Sequence, residues 1–236
     1  MDFPAPLIEG TLVNRYKRFF ADVRLPSGEV VTAHCANPGS MLSVRDDGAR
    51  VWISPVDNPA RKLRYTWEIV EAFGAMVGIN TGYPNAIVAE AIAAGRIPEL
   101  TGYPVLKREQ KYGQNSRIDI LLEAPGRPPC YVEVKNVTMC RAAGGPAEFP
   151  DSVTSRGAKH LAELTAMVEA GNRAVMFYLV QRADCRRFTI AGDIDPAYAK
   201  ALKLAMKSGV EALCYHARVT PGGIHIDAPL TLALPA

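Results

Sequence analysis

Short apolar segments separated by turn-forming residues fill the first 80 residues of the chain. Six segments rich in β-branched and aromatic residues predict strands, over residues 7–14, 19–25, 30–34, 50–56, 66–72 and 76–79. Runs such as Pro26-Ser27-Gly28 and Asp46-Asp47-Gly48 favour tight turns between them. Because closure removes exposed strand edges, five or six short strands without a strong helix predict a small OB-like barrel over residues 1–80.

Helical and strand-like segments alternate from residue 81 onward. Helices are predicted over residues 86–94, 156–170 and 196–208, with Asn85 and Asp195 as candidate N-caps. Strands are predicted over residues 107–112, 117–123, 131–137, 174–180 and 210–217. The segment 174–180 is apolar throughout, as expected of a strand buried on both faces. This alternation predicts an α/β domain with a mixed sheet and flanking helices over residues 81–236.

Two of these strands form a predicted hairpin that carries three charged residues. A turn centred on Gly126 would place Asp119 opposite Glu133, with Lys135 two residues further on and on the same face. The other face would collect apolar side chains suited to a core, namely Ile118, Ile120, Leu122, Val132 and Val134. Two carboxylates this close repel unless a cation or a proton lies between them, so the asymmetry indicates a metal site.

The residue types at this hairpin suit phosphodiester chemistry. Mg²⁺ or Mn²⁺ prefers oxygen ligands, which makes Asp119 and Glu133 candidate metal ligands. A bound ion polarises a phosphate and acidifies a water molecule, and Lys135 could offset the developing charge. This Asp, spacer, Glu-x-Lys arrangement is the PD-(D/E)xK pattern of many nucleases, and Glu90 on the preceding helix is a candidate further carboxylate. The alternative is a solvated surface pair, since most exposed Glu-x-Lys pairs have no other role.

Two clusters of cations interleave with aromatic residues in the predicted barrel. The cations are Arg15, Lys17, Arg18, Arg61, Lys62 and Arg64. Barrels of this type bind nucleic acid with a cationic groove and stacked aromatic rings, so these six residues are candidates for contacts with DNA phosphates. The alternative places Phe19, Phe20 and Trp67 in the barrel core and leaves the cations in solvent.

Net charge, apolar runs and the cysteine and histidine positions exclude few classes of function. The net charge of +3 on 236 residues is weak evidence about the partner. No apolar run approaches the length of a membrane helix, and the first residues lack the pattern of a signal peptide, so we expect a cytoplasmic protein with no membrane partner. The five cysteines are scattered, which argues against a disulfide framework and a structural zinc site. The four histidines lack ligand spacing and are expected to pack in the core or lie on the surface.

Residues 34–41 form a polar turn after a predicted strand. Neighbouring strand residues point to opposite faces, so His34 and Cys35 are not expected to form a catalytic pair. Asn37, Gly39 and Ser40 either present backbone N–H groups to a phosphate or simply turn the chain.

Nine ordered sequence blocks together resemble the sugar fermentation stimulation protein family over essentially the entire chain. The blocks are residues 15–19, 34–41, 57–59, 65–68, 77–82, 116–119, 131–138, 149–151 and 154–157. The resemblance implies an N-terminal OB-like domain, a C-terminal nuclease-like domain, DNA binding with little sequence preference, and a part in regulating sugar, especially maltose, metabolism. It carries the nuclease-type positions onto Asp119, Glu133, Lys135 and Glu90.

One departure from the family pattern lies in the polar turn. The family is expected to have His-Cys-Pro-Asn-Thr-Gly-Ser-Met, whereas this chain has Ala36 and Pro38. Pro38 lacks both the hydroxyl and the backbone donor of threonine, which weakens the case for a phosphate contact at this turn.

Two functional hypotheses follow from the sequence. In the first, the chain is a DNA-binding, regulatory protein of low sequence specificity whose nuclease-like domain is mainly a scaffold. In the second, it is a Mg²⁺-dependent nuclease. The resemblance supports binding more directly than cleavage, whereas the intact Asp119, Glu133 and Lys135 favour cleavage. The sequence leaves the oligomeric state open, a homodimer included.

Overall fold

The computed structural model describes residues 1–113 and 116–233. Its N-terminal part is a sheet of six strands: β1 (Ile8–Tyr16), β2 (Phe20–Arg24), β3 (Val30–Cys35), β4 (Arg50–Pro55), β5 (Tyr65–Ala72) and β6 (Ala75–Gly78). The strands are hydrogen-bonded in the order β3-β2-β1-β4-β5-β6, and a parallel pairing of β3 with β5 closes the sheet into a barrel. Closure satisfies backbone groups that would otherwise lie exposed at the sheet edges.

The barrel has its own apolar core. Alternate strand residues point inward, and Leu12, Ile53, Trp67 and Ile79 are fully buried there. Full burial of each such side chain stabilises the fold by roughly 1.5–3 kcal/mol. The alternative that placed Trp67 in the core is confirmed, whereas Phe19 is 46% exposed and lies outside it.

The C-terminal part contains three α-helices among its described residues: α1 (Pro84–Ala93), α2 (Ser155–Glu169) and α3 (Pro196–Lys207). A short 3₁₀ helix, Pro98–Leu100, follows α1. Its strands are β7 (Val105–Tyr112), β8 (Ser116–Ala124), β9 (Arg127–Val137), β10 (Ala147–Phe149), β11 (Arg173–Val180), β12 (Arg187–Ile190), β13 (Glu211–Thr220), β14 (Gly223–Pro229) and β15 (Thr231–Ala233).

Six of these strands form a mixed sheet in the order β14-β13-β11-β9-β8-β7. The central strands β9, β11 and β13 run parallel, and the outer pairings are antiparallel. A smaller parallel sheet has the order β10-β12-β15. None of the described helices is long and apolar enough to cross a membrane.

Two apolar clusters cover the two faces of the mixed sheet. Val175, Phe177 and Leu179 of β11 face the cluster that contains α1, and alternate residues such as Met176 and Tyr178 face the cluster that contains α2 and α3. Every residue of β11 after Arg173 is buried, which confirms the prediction of a strand covered on both faces.

The helix starts differ from the predictions in one case. Asp195 caps α3 as expected, because its side chain accepts a hydrogen bond from the Tyr198 N–H at 2.9 Å. The prediction of Asn85 as an N-cap is wrong, since α1 begins at Pro84 with Tyr83 as its N-cap residue and no side-chain capping bond. The Asn85 amide instead donates hydrogen bonds to Asp119 and Glu109.

The polar turn after β3 joins the two parts of the molecule. Asp151 accepts a hydrogen bond from the Met41 N–H at 2.9 Å, and its carbonyl accepts one from the Ser40 hydroxyl at 2.6 Å. The Gly39 N–H is taken by the Asn37 side chain at 2.9 Å. These amide and hydroxyl donors are already bonded within the chain, so they are not available to a phosphate. We call the contacts of Ser40 and Met41 with Asp151 the interdomain clasp.

Candidate metal centre and nucleic-acid interface

The β8–β9 hairpin has the register expected from the sequence. Ile120 pairs with Val132 and Leu122 with Cys130, and Asp119 and Glu133 each lie one position beyond the last of these pairs. The apolar face is as predicted except at Ile118, which was expected beside Ile120 but packs in the cluster that contains α2. A strand of regular twist would keep these two alternate residues on one face, so β8 must rotate between them.

The β8–β9 ladder opens at Asp119. Its Oδ2 accepts a hydrogen bond from the Val134 N–H at 2.8 Å, and these residues lie one and two positions beyond the last pair, Ile120 and Val132. Its Oδ1 accepts from the Asn85 amide at 2.7 Å, and the same amide nitrogen donates to Glu109 Oε1 at 3.0 Å. Glu109 has a positive φ of 54°, a conformation that non-glycine residues rarely adopt. The opening therefore gathers Asp119, Asn85 and Glu109 into one group.

Glu133 lies deeper, with only 2% of its surface exposed. Its Oε1 accepts from the Lys135 ammonium at 2.7 Å and contacts Nδ1 of His160 on α2. His160 Nε2 accepts from Arg156 Nε at 3.2 Å, so the ring proton resides on Nδ1 and is donated to Glu133. Glu133 Oε2 is buried and has no hydrogen-bond partner among the described residues. A buried carboxylate oxygen without a partner is unfavourable and marks a position for a cation or water.

The two carboxylates are perturbed in opposite directions. Burial, together with the nearby charge of Glu133, raises the pKa of Asp119 to about 6, against the hydrogen bonds from Val134 and Asn85. Burial would also raise the pKa of Glu133, but the hydrogen bond from His160 and the Lys135 ammonium outweigh it and lower that pKa. Divergent pKa values in a carboxylate pair are typical of functional sites.

A cleft of about 390 Å³ opens beside this group. Its lining combines carboxylates with cations: Glu109, Ser116, Arg117, Asp119, Arg156, Lys159 and His160. Arg156, Lys159 and His160 lie three or four positions apart on α2 and so share one face of the helix. The cleft therefore places the carboxylates of Glu109 and Asp119 next to the cations of α2. This combination suits a phosphodiester with a bound cation.

Glu90 is not brought to this group. Its carboxylate accepts from the Met1 ammonium at 2.9 Å, and the same ammonium donates to the Ile224 carbonyl of β14. The expectation that Glu90 supplies a further carboxylate is corrected: Asn85, at the start of the same helix, reaches Asp119 instead. Glu90 lies more than one helical turn further along α1, which places it beyond the opened ladder.

Sequence reasoning missed four residues of this site: Asn85, Glu109, Arg156 and His160. The expectation that His160 is an ordinary packing or surface residue is wrong, because it contacts Glu133. A partial signal was present in α2, where Arg156 and His160 recur four residues apart, with His160 inside the predicted apolar face. Glu109 had no such signal, since it depends on the unusual backbone of β7.

The six cations expected to contact DNA differ in how far their side chains are exposed to solvent. Arg15 is partly buried, and its guanidinium donates to the carbonyls of Arg18, Asn37 and Gly39 at 2.9–3.0 Å. Arg15 therefore holds the turns together, which corrects its expected place in a DNA-contacting surface. The other five, which we call the barrel cations, are exposed: Lys17, Arg18, Arg61, Lys62 and Arg64.

The two cation clusters lie at the same end of the barrel. His34 pairs with Phe20 at the start of β2, beside the turn that carries Lys17. Burial and, secondly, the charge of Arg61 lower the pKa of His34, so the β4–β5 loop reaches this end as well. Tyr16 and Phe20 stack there with ring centroids 5.4 Å apart, next to the half-exposed Phe19. Cations and aromatic rings thus share one surface.

Two family models match the chain. The one described as "SfsA N-terminal OB domain" matches residues 13–79, and the one described as "Sugar fermentation stimulation protein RE domain" matches residues 82–223. The second alone spans more than half of the chain. The chain belongs to the sugar fermentation stimulation protein family. The expected fold class, an OB-like barrel followed by a nuclease-like mixed sheet with flanking helices, is confirmed.

Relatives match this family member from end to end. A sugar fermentation stimulation protein homolog of Rhodospirillum centenum is 63% identical over 233 residues, covering 99% of this chain and 100% of the relative. The homolog of Paramagnetospirillum magneticum is 59% identical over 234 residues, covering 99% and 98%. The solved structure of Pyrococcus furiosus SfsA in complex with Ca²⁺ has a TM-score of 0.88 at 26% identity, covering 99% of this chain and 98% of that one.

Proposed function

We propose that this protein binds DNA with little sequence preference and hydrolyses its phosphodiester bonds with a divalent metal ion held by Asp119 and Glu133. The observation that carries the proposal is Glu133 Oε2, buried and unpartnered beside a second carboxylate whose pKa is raised. A buried unpaired carboxylate oxygen destabilises a fold unless a ligand satisfies it. A cation bound at Glu133 Oε2 would satisfy this oxygen and so accounts for a carboxylate at this buried position.

The donor set fits a hard cation. Asp119 and Glu133 offer carboxylate oxygens and no sulfur or imidazole lone pair, because the Nδ1 of His160 is already committed to Glu133. Mg²⁺ or Mn²⁺ needs only one or two protein carboxylates beside a phosphate. The complex of the Pyrococcus furiosus relative with Ca²⁺ supports binding of hard divalent ions within the family. When bound, the ion polarises the phosphate and makes a coordinated water more acidic.

The chain's own residues then have separate tasks. Asn85 and the Val134 N–H orient the Asp119 carboxylate, and His160 does the same for Glu133. Lys135 has a side chain 14% exposed, so its ammonium can donate to a water or to a non-bridging phosphate oxygen at the cleft. Arg117 and Arg156 line the cleft, where they can contact the neighbouring phosphates of a strand.

The barrel supplies the DNA-binding surface in this proposal. The barrel cations and the Tyr16–Phe20 stack are suited to phosphates and unpaired bases, respectively. The interdomain clasp joins this end of the barrel to Asp151, which precedes the first turn of α2 and its cleft-lining Arg156. A strand bound to the barrel could therefore continue into the cleft.

A second candidate is DNA binding without cleavage, coupled to the regulation of sugar, especially maltose, metabolism. It is favoured by the Lys135–Glu133 ion pair, which already neutralises one candidate metal ligand. Expression of the Lys135→Ala variant in a strain lacking the gene separates the two candidates. Normal growth on maltose with this variant would assign regulation to binding, and loss of growth would assign it to the catalytic site.

The direct test is to incubate the purified protein with single-stranded, duplex and branched DNA in Mg²⁺, Mn²⁺, Ca²⁺ or EDTA. We expect cleavage of at least one of these DNA forms in Mg²⁺ or Mn²⁺, and a loss of at least about 100-fold in rate for Lys135→Ala. Lys203→Ala, an exposed lysine on α3, is the matched control and should cleave normally. Binding of all three DNA forms with no cleavage in any metal would overturn the proposal in favour of the second candidate.

A further inference from the structure

Cys140, Asp184 and Cys185 bring three candidate metal ligands together in the loops that follow β9 and β11. One ligand atom from each lies within 4.8 Å of the other two, the one such group of His, Cys, Asp and Glu found in residues 1–113 and 116–233. The scattered sequence positions of the cysteines argued against a structural zinc site, whereas the fold brings two of them close to one carboxylate. Cys140 follows β9 and Cys185 follows β11, and these strands are parallel neighbours. Their carboxyl ends lie side by side, which is why residues distant in sequence meet.

The geometry of the cluster suits a small tetrahedral ion. Asp184 Oδ1 lies 3.9 Å from Cys185 Sγ, close to the spacing of about 3.5–3.8 Å expected for two ligands on one tetrahedral Zn²⁺. Cys140 and Cys185 are 0% and 3% exposed, so a thiolate pair there would be shielded from solvent. The Asp184 side chain is 20% exposed, which leaves a route for an ion and a position for water as fourth ligand.

Arg182 orients the carboxylate of this cluster. Its side chain is fully buried and forms a forked pair with Asp184, with Nε–Oδ1 and Nη2–Oδ2 distances both 2.7 Å. Its Nη1 donates to the Thr138 carbonyl at 3.0 Å. Such an outer partner fixes a metal-ligating carboxylate, and each oxygen keeps a further lone pair for an ion.

The charges of the cluster balance when a divalent ion binds. Arg182 already neutralises Asp184, and each thiol releases its proton as it becomes a ligand, so two protons leave as two positive charges enter.

We propose that Cys140, Asp184 and Cys185 form a structural site for a thiophilic divalent ion of the Zn²⁺ class. The bound ion ties the chain after β9, the strand that carries Glu133 and Lys135, to the chain after β11. Thiolate ligands select Zn²⁺ and Co²⁺ over Mg²⁺, so this site differs in chemistry from the carboxylate pair. It stands independently of the proposed nuclease function.

The test is titration of the full-length, reduced protein with Co²⁺ and with Zn²⁺. We expect one equivalent of Co²⁺ to give thiolate-to-cobalt charge-transfer absorption, and Zn²⁺ to displace it and remain bound through gel filtration. Cys140→Ala and Cys185→Ala should each abolish the absorption and weaken Zn²⁺ binding by at least about 100-fold. Cys130→Ala, which also replaces a fully buried cysteine on β9, is the matched control and should bind normally.

The outcomes separate this site from the carboxylate site. Asp119→Asn should leave the cobalt absorption unchanged, and Cys140→Ala should leave Mg²⁺-dependent cleavage measurable. The proposal is overturned if the wild-type protein gives no charge-transfer absorption, or if both cysteine variants retain it. It is equally overturned if mass spectrometry of the untreated protein finds a Cys140–Cys185 disulfide that re-forms after reduction in place of metal uptake.

Discussion

Asp119 Oδ2 accepts the backbone N–H of Val134 at 2.8 Å, where the β8–β9 ladder has just ended at Ile120 and Val132. The carboxylate thus replaces the strand partner that β8 no longer provides. Asp119 therefore both satisfies the open strand and presents a charge to the cleft. Any substitution there acts on the fold as well as on the site.

The first prediction concerns stability and pH at Asp119. Its folded pKa of about 6 lies above the ordinary value of 3.8, so the folded chain retains a proton that the unfolded chain has lost. Stability is therefore lowered as the pH rises from about 4 to about 6, by up to about 3 kcal/mol. Asp119→Asn removes this penalty but loses one accepted hydrogen bond, of about 1 kcal/mol. We expect a net gain of about 1–2 kcal/mol at about pH 8 in EDTA and none at about pH 4.

Urea unfolding at the two pH values measures this difference. Asp47→Asn is the control, because Asp47 is exposed and its substitution should change stability by less than about 0.5 kcal/mol at either pH. A destabilised Asp119→Asn variant at high pH would mean that the Val134 hydrogen bond outweighs the cost of burying the Asp119 charge beside Glu133.

The second prediction concerns metal-dependent stability. Mg²⁺ at about 100 times its dissociation constant should stabilise the wild type by about 2.7 kcal/mol, measured as a higher melting temperature. Asp119→Asn and Glu133→Gln should abolish the shift, and Lys135→Ala should retain it because lysine is not a ligand. Glu90→Gln should also retain it, since Glu90 pairs with the Met1 ammonium. A shift that disappears in Glu90→Gln alone would return Glu90 to the metal site.

The hairpin was predictable from the sequence because strand geometry is local. A turn at Gly126 and alternation along two strands suffice to place Asp119 near Glu133. Ile118 was misplaced because rotation of β8 depends on the tertiary fold and not on the alternation pattern. His160 was misjudged for a related reason: its partner Glu133 is distant in sequence, and only the packing of α2 on the sheet brings the two together.

The third prediction separates Arg15 from the barrel cations. Arg15→Ala leaves three carbonyls without their donor and should destabilise the protein by about 2–4 kcal/mol. Lys17→Ala, two residues away and exposed, should change stability by less than about 0.5 kcal/mol. Arg15→Lys keeps the charge, but its shorter side chain places the nitrogen short of the Nη2 position that donates all three bonds, so it should resemble Arg15→Ala in urea unfolding. If Arg15→Lys restored full stability, charge rather than hydrogen bonding would explain the role of Arg15.

The fourth prediction concerns the interdomain clasp. Asp151→Ala removes the acceptor of the Met41 N–H, whose residue is held at a positive φ of 53°. Without that bond the turn loses about 1–3 kcal/mol of local stability, and hydrogen exchange at the Met41 amide should accelerate accordingly. Val153→Ala, at a neighbouring residue that is 76% exposed, is the control and should leave the exchange rate unchanged. Unaltered exchange in Asp151→Ala would mean that other contacts hold the turn.

The last prediction concerns DNA binding by the barrel, measured with the Lys135→Ala variant so that cleavage does not interfere. Phosphate contacts release counterions, so the affinity should fall about tenfold or more between about 50 and about 200 mM salt if several cations take part. Replacing the five barrel cations with glutamine should weaken binding and reduce its salt dependence. Each lost phosphate contact lowers the slope of log affinity against log salt concentration by about one. Replacing five exposed cations outside the barrel and the cleft (Arg186, Lys200, Lys203, Lys207 and Arg218) provides a control of equal charge change. A larger loss of affinity in this control set than in the barrel set would place the main binding surface on the C-terminal part and leave the barrel a structural role.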